Sequence, residues 1–251
     1  YIDAYKAFGE KEFLDAALTN AKFLVENQLK ENFSLYRNFK NDKSTIKAYS
    51  EDYAGVIQSF ISLYEVTLDE KWLTTSKKIA DQLFINFYNE KNGMFQFTSK
   101  EDENLIATKY EVIDGVMPSS NSIIANSLFK LGHYYSDKKY LNTSEQMLNN
   151  LKDDINKYPS NYSNWLNLMT NFTKPFYEVV VAGNNASSVS KSLINNYLPN
   201  ILIAGTTEEN TTLPLLAYKF NEEETLIYVC VNGTCKMPET DLAKAVKTIT
   251  K

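Results

Sequence analysis

Three stretches of the chain repeat one order of apolar and polar positions. They are EKEFLDAALTNAKFLVEN from Glu10, DEKWLTTSKKIADQLFIN from Asp69 and DKKYLNTSEQMLNNLKDD from Asp137. Each places an aromatic (Phe13, Trp72, Tyr140), then a leucine (Leu14, Leu73, Leu141), a small residue (Ala17, Ser76, Ser144) and a second leucine (Leu24, Leu83, Leu151) at the same offsets. Those offsets fall on one face of a helix. Apolar helical patterns precede the second and third copies, with Val56, Ile57, Phe60, Ile61 and Tyr64 in one and Ile123, Ile124, Leu128, Phe129 and Leu131 in the other. The unit is therefore a helix, a tight turn and a second helix. Such pairs bury their faces by stacking on neighbours. The first helix of each pair is apolar nearly all round and suits an inner ring. The second carries Lys, Glu and Asn on one face and suits an outer ring.

The pattern predicts an α/α toroid in which inner helices run parallel around a funnel. The connections NFSLYRNFKNDKSTIKAYS and NGMFQFTSKEDENLIATKYEVIDG alternate apolar and polar residues and read as short hairpins. Stepping the repeat back one period lands before Tyr1, so the chain is expected to start inside an inner helix. NYSNWLNLMTNF (161–172) reads as a fourth inner helix, broken off at Lys174-Pro175. Three pairs and a lone helix do not close a ring. Residues 1–174 are thus expected to be an open fragment of a larger toroid.

Residues 175–251 change period. FYEVVVAG, NILIAG and TLIYVCV read as strands. SSVSKSLINNYL and TDLAKAVKTIT read as helices, the second capped by Thr240 or Asp241. This is a small α/β subdomain. VVVAGNNASS has one glycine where a dinucleotide fingerprint needs three, so no cofactor is expected there.

Charge narrows the partners. The 251 residues hold 26 basic and 31 acidic side chains, a net of −5. That offers no electrostatic footprint for nucleic acid or an anionic membrane. No apolar run approaches the roughly 20 residues of a membrane span. The one histidine, His133, and two cysteines make no zinc ligand set. His133, late in an inner helix, reads as packed or as favouring the helix C-terminus. Cys230 and Cys235 flank VNGT, a tight turn with Asn232-Gly233 at its tip. They are expected to be structural, reduced thiols in a cytoplasmic protein. Their spacing is not the Cys-x-x-Cys of a redox site, although a redox pairing across the turn stays open.

The candidate chemistry lies where inner helices begin. In EVIDGVMPSSNS, Asp114-Gly115 makes a turn, Pro118 and Ser119 or Ser120 start and cap a helix, and Asn121 and Ser122 fill its first turn. One repeat earlier Ser50 can cap, with Glu51 and Asp52 facing the helix dipole. Parallel inner helices would bring these ends to one rim. Asp52 and Asp114 are the candidate catalytic pair. Tyr53, Ser120, Asn121, Glu51 and Glu111 are the candidate substrate-binding residues. Carboxylates, amides, hydroxyls and an aromatic suit a sugar. A glycosidase needs its two carboxylates about 5–5.5 Å apart for retention or roughly 6.5–9.5 Å for inversion.

Several motifs, in order, resemble one family. SEDYAGVIQSFISLYE, GMFQFTS, EVIDGVMPSSNSIIANSL, YPSNYSNWL, YEVVVAG and YVCVNGTCKMPETD are similar to the C-terminal part of the YyaL-type, spermatogenesis-associated, thioredoxin-domain-containing proteins. The resemblance implies a six-hairpin glycosidase-like toroid, shared in fold with sugar epimerases and glucuronyl hydrolases. It also implies a thioredoxin-like domain N-terminal to this chain as a partner. The epimerases use paired histidines, which this chain lacks. Two functions stay open: a carbohydrate-binding or carbohydrate-processing toroid, or a non-catalytic scaffold serving the thioredoxin-like domain. Rim acids all paired with Arg or Lys would favour the scaffold.

Overall fold

A computed structural model describes residues 1–103 and 106–250. Asn104 and Leu105, in the second expected hairpin connection, and Lys251 lie outside the described residues. The helical part is an arc of hairpins. Inner helix α1 (Ile2–Phe8) pairs with outer helix α2 (Lys11–Asn27), α3 (Ser50–Thr67) with α4 (Glu70–Phe87), and α5 (Ser120–Tyr135) with α6 (Lys138–Asn150). A short strand pair, β1 (Tyr88–Asn89) and β2 (Met94–Phe95), follows α4. After α6 come the short α7 (Lys152–Lys157) and the lone inner helix α8 (Ser163–Thr173). The partial α/α toroid of three pairs and a helix is thus what the chain forms. α1 is the expected remainder of an inner helix, packed against both α2 and α3.

All three hairpins close by the same device. The inner helix ends on a residue in the left-handed conformation: Gly9 (φ 73°), Leu68 (φ 57°) and Ser136 (φ 53°). An acid then opens the outer helix as N-cap: Glu10, Asp69 and Asp137. Asp69 accepts the Lys71 N–H, and Asp137 those of Lys139 and Tyr140, satisfying donors that a helix start leaves free. Phe13, Trp72 and Tyr140 are each the third residue of their outer helix. Trp72 packs on Phe60 with ring centroids 5.0 Å apart, and Tyr140 stacks on Phe84 at 5.6 Å. The repeated small residue holds the two helices close. Ser76 Oγ donates to the Ile57 carbonyl at 3.3 Å and Ser144 Oγ to that of Ala125 at 2.7 Å. The repeated leucine needs room too. A Cβ on Gly132 would sit 2.6 Å from the Leu141 side chain, so α5 must be bare there.

Two hairpin expectations are only partly met. The first long connection holds isolated bridges, Leu29 to Leu35, Tyr36 to Lys47 and Lys40 to Lys43, rather than a strand pair. In the second, pairing starts earlier, at Tyr88, and takes only Met94 and Phe95 from the predicted stretch.

The C-terminal part builds a four-stranded sheet in the order β4-β3-β5-β6. Its strands are β3 (Tyr177–Ala182), β4 (Ile201–Thr206), β5 (Leu226–Val231) and β6 (Thr234–Cys235). β3 and β4 are parallel, joined by helix α9 (Ala186–Ile194). β5 runs antiparallel to β3, and the chain closes with α10 (Leu242–Ile249). Both sheet faces are buried. Val180, Ala182, Leu202 and Ala204 join the core of the helical arc. Val179, Val181, Ile203, Ile227 and Val229 pack in a second core with residues of α9 and α10. Tyr64 and Tyr134, late in α3 and α5, meet edge to face at 5.3 Å and reach the β4 backbone. The Tyr134 hydroxyl donates to the Ile203 carbonyl at 2.7 Å, and the Tyr64 hydroxyl accepts from Gly205 N–H at 3.2 Å. Gly183 follows β3 at φ 135°, where a Cβ would lie 2.7 Å from the backbone at Glu224 and Thr225. Close approach of two chain segments, not phosphate binding, explains this glycine.

The cysteines differ from expectation. Cys230 and Cys235 are joined as a disulfide, not held as two thiols. They are direct partners across the β5–β6 turn, with Cα atoms 3.8 Å apart, so the tight turn itself aligns the sulfurs.

Candidate functional site

The structure brings the predicted rim residues to one end of the arc. Ser50 and Ser120, the first residues of α3 and α5, are both buried, and their hydroxyls lie 3.5 Å apart. The two inner helices therefore start side by side. The α3 cap differs from the sequence reading, and the α5 cap is one of the two serines it offered. Tyr49, not Ser50, is the N-cap of α3, with the Tyr49 N–H donating to Asp52 Oδ2 at 2.8 Å. Ser119 caps α5 and accepts the Ser122 N–H.

Each rim acid already has partners. Asp114 is buried and bridges two helix starts. Its Oδ1 accepts from Ser119 N–H and Ser122 Oγ, each at 2.8 Å, and its Oδ2 from Asn164 N–H of α8 at 2.8 Å. Glu51 meets Arg37 at 3.3 Å. Asp52 lies 3.8 Å from the same guanidinium, which sits over the Tyr49 ring. Glu111 pairs with Lys109 at 2.7 Å. Asn121 is fully buried and saturated. Its amide donates to the carbonyls of Phe95 and Glu111 and accepts the Phe95 N–H, locking β2 to α5. The Tyr53 hydroxyl accepts the Leu35 N–H at 3.0 Å, and burial pushes that phenol's pKa up. Asp52 and Asp114 thus share an end of the arc but turn to different neighbours. Asp52 faces the α2–α3 connection, while Asp114 fills the seam between α5 and α8.

The open polar surface lies on the concave side instead. A cavity of about 300 Å³ is lined by Gln58, Ser59 and Ser62 of α3, Asn126, Ser127 and Lys130 of α5, and the start of α1. Ser59 also lines a second cavity of about 320 Å³ that runs up to Arg37 and Asp52. Lys130 also lines a third, of about 260 Å³, that reaches the segment after α9. The three adjoin at these shared residues, as a groove along α3 and α5. At its lower end Glu65 is buried between two ammonium groups, Lys6 at 2.7 Å and Lys130 at 2.8 Å. Burial alone would raise the Glu65 pKa, but Lys130 and Lys6 outweigh it and hold the carboxyl down at about 2. The triad ties α1, α3 and α5 together.

Sequence reasoning missed this groove because it took the inner helices as apolar nearly all round. The signal was present as a polar stripe at helical spacing: Gln58, Ser62 and Glu65 on α3, and Ser122, Asn126 and Lys130 on α5. His133 is packed, as expected, but it has a carboxyl partner that sequence could not show: Glu178 of β3, at 2.7 Å. Among the described residues no group of three or more His, Cys, Asp or Glu is placed to hold a metal. No described helix is long and apolar enough to cross a membrane.

No protein-family model matches the chain. It is 24% identical over 204 residues to spermatogenesis-associated protein 20 of Homo sapiens, covering 77% of this chain and 26% of that protein. It is 28% identical over 165 residues to an uncharacterized protein of Caenorhabditis elegans, covering 63% of this chain and 22% of the other. The chain spans about a quarter of the length of these curated relatives. In fold it is similar to a GH76 alpha-mannanase of Bacteroides thetaiotaomicron, with a TM-score of 0.50 and 17% identity over 61% of this chain and 41% of that one. The resemblance carried by the sequence motifs holds, and so does the glycosidase-like toroid it implied.

Proposed function

We propose that the helical arc binds carbohydrate along its concave groove, and that the rim acids serve the scaffold rather than a hydrolytic reaction. The observation that carries this reading is the lining of the groove. The amide of Gln58 and the hydroxyls of Ser62 and Ser127, from two adjacent inner helices, line one cavity, while the Lys130 ammonium and the Asn126 amide there are held by Glu65 and by backbone carbonyls. Such groups exchange hydrogen bonds with sugar hydroxyls at little cost in desolvation. The fold is that of a protein named as an alpha-mannanase, which supports a glycan as the ligand by analogy. Catalysis stays outside the proposal because Glu51, Asp52, Glu111 and Asp114 are all engaged by Arg37, Lys109 or helix N-termini. A carboxylate so engaged must break those bonds before it can take up or release a proton.

Calorimetry of the intact protein against a panel of oligosaccharides tests this. Gln58→Ala and Ser62→Leu should each weaken binding about tenfold, the worth of one lost hydrogen bond of roughly 1.4 kcal/mol. Absence of binding across the panel, or equal affinity in both variants, would overturn the groove as the site. Turnover of a glycan that Asp52→Asn abolishes would return the rim acids to a catalytic role.

A further inference from the structure

We propose a second ligand site, separate from the groove, built around the chain's single histidine. A cavity of about 310 Å³ opens at the seam between the helical arc and the β5–β6 turn. Phe129 and His133 of α5, Phe172 of α8, Phe176 ahead of β3, and Asn171 and Asn232 line it, together with the charged Glu145 and Lys174. Neither Ser59 nor Lys130, which join the parts of the concave groove, belongs to it.

The imidazole is held by two aromatic rings and a carboxylate. His133 is only 9% exposed. Phe129 meets its ring at 4.5 Å between centroids and Phe176 at 5.1 Å. Nδ1 lies 2.7 Å from Glu178 Oε1. The other carboxylate oxygen, Oε2, accepts the Gly233 N–H at 2.8 Å, so the turn holds Glu178 in place. An ionised carboxylate only accepts hydrogen bonds. With Glu178 accepting, Nδ1 is the donor of the pair, and the Nε2 edge is the one left for a ligand. No protein donor meets Nε2 among the described residues.

An unpartnered ring nitrogen beside a cavity, with aromatic walls, two amides and one side chain of each charge alongside, defines a ligand class. The ligand is a compact neutral ring that lies against the phenylalanines and donates one O–H to Nε2. A cavity of this size sits at the lower end of small-molecule sites, room for one ring and not for a chain. Two sources share this chemistry, a phenol and a single sugar ring, and they differ in how many hydroxyls Asn171 and Asn232 must satisfy.

The test exploits the count of one histidine. In this uniformly ¹⁵N-labelled chain, a long-range ¹H–¹⁵N spectrum at pH 8.5 shows one imidazole, whose tautomer is read directly. The expected spectrum has protonated Nδ1 and bare Nε2. Adding phenol or methyl α-mannoside should move the Nε2 resonance saturably, whereas toluene, which has the ring but no donor, should not. Which of the two hydroxyl compounds acts identifies the source. Glu178→Gln gives a directional check. Its one acceptor oxygen is claimed by Gly233, so its NH₂ donates to Nδ1 and the proton moves to Nε2. Binding of the active probe should then fall at least tenfold. Asn171→Trp, at the half-buried edge, should block the probe while leaving the tautomer unchanged, which separates loss of the site from loss of fold. Nε2 protonated in the free protein, no shift with either hydroxyl probe, or a shift that survives Asn171→Trp would overturn the site.

Discussion

Glu65 joins three inner helices through one carboxylate. Its carboxylate is buried, yet its pKa lies far below the usual carboxylate range, because two lysines on neighbouring inner helices stand at 2.7 and 2.8 Å. A folded-state pKa lowered from 4.5 to about 2 stabilises the fold fully above pH 4.5. That contribution drains away as pH falls through the window between those two values. Its size, by the conversion of shift to free energy, is on the order of 3 kcal/mol. Glu65→Gln should therefore destabilise the protein by about 3–5 kcal/mol at pH 7, since two ammonium groups lose their counter-charge. It should also flatten the stability profile between pH 4.5 and 2. Urea unfolding at pH 7, 4 and 3 measures both. An unaltered acid slope in the variant would mean that Glu65 is not the group titrating. From sequence, Glu65 was one polar letter in ISLYEV. Its burial depends on Lys6 and Lys130, 59 and 65 residues away in the chain, and no local pattern encodes that pairing.

At the scale of elements, the sequence was most legible where the physics is local. The hairpin turns are an example. An acid at 10, 69 and 137 is the N-cap of each outer helix, and the aromatic three residues later marks the packed face. What the local pattern did not announce is the left-handed residue before each acid, because only Gly9 advertises it. Leu68 and Ser136 take that conformation at a steric cost, of roughly 1–2 kcal/mol for an L-residue. Leu68 has a packing reason to stay, since its side chain lies against Gly205 of β4. Ser136 is exposed and has none. Ser136→Gly should therefore raise stability by about 0.5–1 kcal/mol, after allowing for the greater freedom glycine gives the unfolded chain. A thermal melt showing a small rise supports the shared turn, and a fall would mean that Ser136 contributes a contact. The cysteines mark the opposite limit. Their pairing follows from the register Cys230 to Cys235, which the CVNGTC spacing permits but does not decide. The rim residues are a third case. Their position at one end was legible from the repeat, but their engagement was not, because Arg37, Lys109 and Asn164 come from other elements.

Across the whole molecule, the change of period near residue 175 separates a helical arc from an α/β unit in sequence, but the packing joins them. The sheet presents Val180, Ala182, Leu202 and Ala204 to the core of the arc. Two tyrosines from the inner helices close hydrogen bonds on the β4 backbone. His133 of α5 is joined to Glu178 of β3, both buried. Melting the sheet alone would strip cover from the ends of α3 and α5 and strand the Tyr134 hydroxyl and the His133 ring. Melting the arc alone would expose one whole face of β3 and β4. The two parts should therefore open as one unit. Native-state hydrogen exchange measures this directly. Amides of β3, β4, α3 and α5 should share the slowest class, with the same opening free energy and the same urea dependence. Tyr134→Phe should lower that shared value by about 1–3 kcal/mol, the cost of leaving the buried Ile203 carbonyl without its donor. The decrease should be equal in strands and inner helices. If the strand amides instead open well below the inner-helix amides, or if Tyr134→Phe weakens the sheet and spares α3, the C-terminal unit folds on its own account and the shared core is only a docking face.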